Sequence, residues 1–234
     1  MAAAVLHDSS HHKQPCTSAT CCSPSRLWRA VQTYISTDAK QDLVQLCQDE
    51  NRGPHVLRVL LTSRLNNDAS LYPASHKHRV IQFDASVRPK AVALFGKSAT
   101  DLNALQLAIF YRRENLAIWL LKYLRPRCSS AEFKMFLHHV WGHKNTSLHL
   151  ACFFGMHRLV QLLLDMGMAP SIKNARHLTP ADCCMNNQEC LALLQKSQAP
   201  TVVVPKRPLS TSPAVTVSAP KSPVKSTPMT RPVL

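Results

Sequence analysis

The residue types able to do chemistry fall into a few loose groups. His139 and His143 stand four apart, a spacing that sets two imidazoles on one helix face, with Cys128 as the nearest thiol. Zinc takes four protein ligands in a structural site, so this set is short of donors. Cys16, Cys21 and Cys22 lie beside His11 and His12, in a stretch with no hydrophobic period to hold them in place. Gly96-Lys97-Ser98 ends like a phosphate loop, but Ala91 stands where its first glycine is required, and the backbone then has no means to curl around phosphate. His149, in isolation, has the look of a ligand or base. No convergent set of nucleophile, base and oxyanion donors emerges, so neither an enzyme nor a cofactor or metal site is expected.

The elements that would have to position such groups are helical. The chain has 234 residues, 45% of them hydrophobic, which is enough for a core. Its 5 glycines exclude collagen-like architecture and weaken any phosphate-loop reading. Nine cysteines at irregular spacing, with no CxxC pair, suit a reduced cytoplasmic or nuclear protein. The N-terminal MAAAVLHDSS lacks the charged leader and apolar core of a secretory signal, and no apolar run reaches the roughly 18–20 residues of a membrane span. Residues 1–25 are rich in Ser, His, Thr and Cys; residues 198–234 are basic, Pro/Ser-rich and free of acidic residues, and both ends are expected to be disordered.

Between these ends, Leu27 to Ile35, Asp42 to Cys47 and Val56 to Leu65 carry apolar residues at helical spacing, with Pro54 placed to begin a helix. Ala104 to Leu124, Ser147 to Met166 and, more briefly, Ala181 to Gln195 each read as two short helices joined by a tight turn. Residues 73–98 contain Pro73, Pro89 and the β-type run Arg79-Val80-Ile81-Gln82-Phe83, and are expected to form an insertion loop with one or two short strands.

Thr146-Ser147-Leu148-His149-Leu150-Ala151 nearly matches the TPLHxA signature, and Thr179-Pro180-Ala181-Asp182 starts a similar unit at a spacing of about 33 residues. On these motifs the chain resembles the ankyrin-repeat family. In that resemblance Thr146 and Thr179 cap first helices, and Leu148, Leu150 and Ala151 face the stack. Gly155 and Gly167 close turns, and Leu159, Val160, Leu163 and Leu164 line the second helix. The resemblance assigns His149 to hydrogen bonds with Thr and backbone between repeats, not to chemistry. Leu105 to Ala108 aligns with Leu148 to Ala151, with Arg112 at the place of Gly155, and Asn186-Asn187 serves the last turn. Leu pairs starting at 60, 120, 163 and 193 align Leu60-Leu61 with Leu120-Leu121. Against the ~33-residue period they indicate roughly 27 extra residues in the first gap and roughly 10 in the second, placed in hairpin loops.

The expected fold is therefore all-α: an ankyrin-repeat solenoid of three to four repeats. It divides into a degenerate helical region at 26–72, the insertion at 73–98 and repeats at 99–197. The resemblance implies a noncatalytic adaptor or scaffold that binds protein. The net charge of +15 points to a partner with an acidic surface, and the tip residues His143, Lys144, Lys173, Arg176 and His177 are its expected contacts. A nucleic-acid-associated cofactor is an alternative, disfavoured because no nucleic-acid-binding signature appears. Another alternative comes from Lys77 to Phe83, which is similar to the docking motif of type-1 protein phosphatase regulatory subunits. Arg79, Ile81 and Phe83 would meet the phosphatase catalytic subunit, against the plainer reading that Phe83 is tucked onto the repeats. Ser23, Ser212, Ser222 and Thr227 each precede a proline and are expected sites of proline-directed phosphorylation.

Overall fold

The computed structural model describes residues 23–67, 80–97 and 99–198. Ten α-helices follow one another in these residues, and no strand forms among them. The first five are α1 (Pro24–Ser36), α2 (Lys40–Gln48), α3 (Gly53–Thr62), α4 (Arg88–Phe95) and α5 (Ala104–Phe110). The rest are α6 (Glu114–Leu124), α7 (Ser130–Leu137), α8 (Ser147–Phe153), α9 (His157–Asp165) and α10 (Gln188–Gln198), with one 3-10 turn at Ala181–Cys183. None is long and apolar enough to cross a membrane.

Four helical hairpins stack: α1 with α2, α5 with α6, α8 with α9, and the 3-10 turn with α10. Their first members form a row in which α5 packs on α1, α8 on α5 and the 3-10 turn on α8; behind it α6 packs on α9 and α9 on α10. The turn between members is the same in three units. Ala39 N–H donates to Tyr34 O at 2.9 Å, Arg113 N–H to Ala108 O at 2.8 Å and Met156 N–H to Ala151 O at 3.0 Å. The residue before each donor is left-handed: Asp38 at φ 60°, Arg112 at 59° and Gly155 at 68°. This is the helix-ending arrangement that glycine favours. At Gly155 a Cβ would lie 2.6 Å from the Asn187 amide nitrogen, a side-chain end that can turn aside, so the left-handed backbone is what favours glycine there. Asn186, at φ 59°, serves the last turn as expected. Leu105, Leu148 and Leu163 are fully buried in one core that runs from Leu27 to Leu194, which is the continuous spine a stacked solenoid requires.

The structure corrects several expectations. Helix α1 begins at Pro24 with Ser23 as its N-cap, inside the stretch assigned to a disordered end. The rest of that segment and the tail after 198 lie outside the described residues. Residues 81–84 form no ladder, and 88–95, expected as loop or strand, form α4. The match of Leu60-Leu61 to Leu120-Leu121 does not hold. Their helix, α3, packs on α1, α2 and α7, whereas α2 stands beside α6, with Tyr123 Oη donating to Cys47 O at 3.1 Å. The extra residues between units thus contain helices α3, α4 and α7, and are not simple loop growth. The Leu65–Leu102 bridge closes the first insertion on itself, and the contact of α3 with α7 joins it to the second.

Candidate interaction surface

Each first helix after α1 starts from a polar cap that also reaches the next unit. Thr146 Oγ1 caps α8 and meets His149 Nδ1 at 2.8 Å, while His149 Nε2–H donates to Leu178 O at 3.0 Å. His149 is fully buried, and burial holds its pKa below the usual histidine value. Asn103 and Gln106 repeat the device one unit earlier: each caps the other, and Gln106 Nε2 donates to His139 O at 2.7 Å. Thr179 and Asp182 repeat it one unit later, at the exposed end.

These caps fix a line of loop tips. Gly142 N–H donates to Thr100 O at 3.2 Å and Ala175 N–H to His143 O at 2.9 Å, which joins three successive tips. Helix α4 ends against this line. Its last carbonyls, left without intrahelical donors, are each satisfied from the tips. Arg176 Nη1 reaches Ala93 O at 2.7 Å, Asn174 Nδ2 reaches Leu94 O at 3.1 Å and Asn145 Nδ2 reaches Phe95 O at 3.3 Å. Gly96 leaves the helix at φ 94°, and a Cβ there would fall 2.2 Å from His143 Cδ2. Lys90 on α4 and Lys97, just past its end, are exposed, as are His143, Lys144, Lys173, Arg176 and His177. Across residues 80–97, 142–145 and 172–178 the sole carboxylate is Asp84.

Ahead of α4 the chain crosses the row of first helices. Ile81 is held by Asn67, whose Oδ1 accepts the Ile81 N–H at 2.8 Å and whose Nδ2 donates to Ile81 O at 2.7 Å, a side-chain imitation of strand pairing. Phe83, 6% exposed, sits among Phe110, Phe153 and Phe154, with ring centroids 4.8, 6.1 and 6.3 Å away, and Phe95 closes the fourth side at 6.2 Å. Asp84 then pairs with Arg112 at 3.4 Å, and the Arg112 guanidinium lies 4.9 Å from the Phe154 ring centroid. Arg112 adopts the left-handed backbone that glycine has in the next unit, at a cost of about 1–2 kcal/mol for a residue with a Cβ.

The family model of the ankyrin repeat matches residues 143–176. The chain contains an ankyrin repeat. No curated protein matches it. The matched repeat contains the α8–α9 hairpin and both tips that hold α4.

In the ankyrin array the expected contact residues divide. Lys144, at φ 58°, and His177, at φ 62°, occupy tight tip turns and face solvent. Arg176 is exposed yet committed to α4, His143 is packed over Gly96, and Lys173 lies near the Asp182 carboxylate, whose pKa is lowered first by its hydrogen bonds from Thr179. Phe83 is buried and Ile81 half-buried, so neither is presented to a phosphatase; the plainer reading of Phe83 is the one the fold adopts, and Arg79 lies outside the described residues. His139 and His143 do not converge. His139 Nε2 bonds Asp101 O at 2.7 Å, and no group of three metal-type ligands forms among the described residues. Cys183 and Cys190 are packing atoms beneath the last repeat, their thiols pushed up to about 12 mainly by burial. Cys16, Cys21, Cys22, Ser212, Ser222 and Thr227 lie outside the described residues. Sequence reasoning missed Lys90, Lys97 and Asn174. Lys90 belongs to an unrecognised helix, Lys97 follows its end, and Asn174 looks like an ordinary loop asparagine.

Proposed function

We propose that this protein is a noncatalytic adaptor whose partner-binding face is the basic ridge formed by α4 and the adjoining ankyrin tips. The family supports binding to protein in general. The acidic character of the partner rests on one observation: Lys90, Lys97 and Lys144 stand exposed on segments whose only carboxylate, Asp84, is already engaged by Arg112. A first-helix recognition surface is not part of the proposal, because the insertion covers the first helices of the second and third repeats.

The test compares affinity capture by the full chain with capture by the triple variant Lys90→Glu, Lys97→Glu, Lys144→Glu. Partners held by the ridge are lost in the variant, and their affinity for the wild-type chain falls as salt rises from 50 to 500 mM, as expected for exposed charges (screening length ~10 Å at 0.1 M). Equal capture by both proteins would remove the ridge from recognition. Recovery of nucleic acid instead, with the steep logarithmic salt slope of phosphate contacts, would favour the nucleic-acid reading.

Phosphorylation enters the proposal at Ser23. Its Oγ accepts the Arg26 N–H at 3.4 Å as the α1 N-cap, and Pro24 occupies the first turn. A phosphate there would stand at the positive end of the helix dipole, beside the Arg26 N–H that Ser23 already caps, so modification is expected to strengthen α1. A reducing cytoplasmic or nuclear setting is also part of the proposal.

A further inference from the structure

Residues 81–84 of the insertion lie across the ends of two successive first helices. Phe110-Tyr111 ends α5 and Phe153-Phe154 ends α8, at matching positions of successive repeats. Phe110 and Phe153 are buried and Phe153 also packs on Phe95, and Phe83 lies against Phe110, Phe153 and Phe154. The side chain of the next residue, Asp84, pairs with Arg112 and remains 70% exposed, while its carbonyl accepts the Val87 and Arg88 N–H groups at 3.0 and 2.9 Å. Arg112 keeps a left-handed backbone, the place of glycine in the following repeat, and its side chain joins the two halves of the contact by lying over Phe154 and reaching Asp84. Four features therefore meet: an aromatic slot, a cation at its rim, a backbone conformation unfavourable to the residue that supplies that cation, and a short extended segment bearing an aromatic side chain followed by a carboxylate.

We infer that the groove of Phe110, Phe153, Phe154 and Arg112 is a peptide-binding site for an extended segment carrying an adjacent aromatic and acidic pair, and that Phe83-Asp84 is its built-in occupant. A protein partner bearing such a pair displaces residues 81–84 from the groove. Helix α4 stays in place, because Phe95 is packed on Trp141 and Phe153 and the tip side chains hold the carbonyls at its end. Recognition combines apolar burial in the slot with a directional ion pair at its edge, as in other modes where an extended strand is read by pockets for alternate side chains. This site is separate from the basic ridge, and its test does not depend on capture of a ridge partner.

The probe is a labelled synthetic peptide of residues 80–87, Val-Ile-Gln-Phe-Asp-Ala-Ser-Val, titrated by fluorescence anisotropy into the full chain. The Phe83→Ala variant, with its slot vacated, is expected to bind at least tenfold more tightly than the wild-type chain. Adding Arg112→Glu to that variant is expected to weaken the peptide about tenfold, and a peptide carrying Asp84→Arg to recover most of the loss. No binding to a folded Phe83→Ala chain, or binding indifferent to the Arg112 and Asp84 exchange, would overturn the proposal. Circular dichroism establishes folding, and Phe83→Leu, which keeps an aliphatic side chain in the slot, is the second variant. If both variants unfold the chain, Phe83 is core rather than ligand and the proposal falls. A wild-type dimer that the peptide dissociates would make the occupant a second copy of this chain and overturn the partner reading.

Discussion

Gln106 and His149 perform one task in successive repeats: each accepts its cap's backbone N–H and donates to a carbonyl in the following loop. The Gln side chain does this without titrating, which gives a direct test of the histidine. In the fold His149 is neutral, with Nδ1 facing Thr146 and Nε2–H on Leu178, and burial depresses its pKa. In the unfolded chain it protonates near the ordinary value of about 6.5. The unfolded state therefore binds more protons as pH falls below that value, and the stability contributed by His149 is complete above it and declines in acid. His139, also lowered mainly by burial, has the same sign. The melting temperature should drop between pH 7.5 and 5.5, and His149→Gln should reduce the drop while leaving the residual from His139. An unchanged slope would locate the titration elsewhere. The Thr146–His149 pair was legible through the resemblance of Thr146 to Ala151 to the ankyrin signature. Phe83 was legible only by half: alternation in 80–84 turns Ile81 and Phe83 to the same side, but no local pattern tells whether that side faces a partner or the protein itself.

Among the elements, the strongly patterned hairpins and α3 were readable, and α4 and α7 were not. Helix α4 buries only Ala91 and Phe95, a single i, i+4 pair between two prolines' worth of loop signal, too little to establish a period. Helix α7 buries only Phe136 and Leu137, although the Ser129-x-x-Glu132 capping box, formed in full, was available in the sequence as a start signal. Contacts between second helices were also invisible, because they join residues dozens of positions apart. Helix α9 has no capping side chain at Met156, and Glu114 of the preceding repeat supplies the acceptor, its Oε1 receiving the Leu159 N–H at 3.1 Å. Glu114→Ala should cost about 0.5–2 kcal/mol, the worth of a lost N-cap, read as a lower urea midpoint. Glu114→Gln retains an acceptor and should lose less. Equal losses for Ala and Gln would show that the carboxylate's charge, not the hydrogen bond, carries the effect.

For the whole molecule, the insertions change how a solenoid should come apart. In a simple array each repeat touches only its neighbours, so both terminal repeats are the weakest and fray first. Here the first repeat is not held by its neighbour alone. Besides the neighbour's Arg113, which crosses to Ser36 O at 3.0 Å and to Asp38 at 3.7 Å, α3 packs on α1 and α2 and carries a contact to α7 in the second insertion. The last repeat has a first helix reduced to one 3-10 turn, an exposed Thr179–Asp182 cap and the exposed His157–Glu189 pair at 3.2 Å. Exposed pairs of that kind contribute about 0–1 kcal/mol. Fraying should therefore be one-sided. Hydrogen exchange followed residue by residue should show least protection over 181–198, most over α5, α6, α8 and α9, and protection in α1 and α3 well above that of α10. If α1 and α3 exchange as fast as α10, the α3–α7 contact does not couple the first repeat to the array, and the insertions are appendages instead of the brace that makes these repeats a single cooperative body.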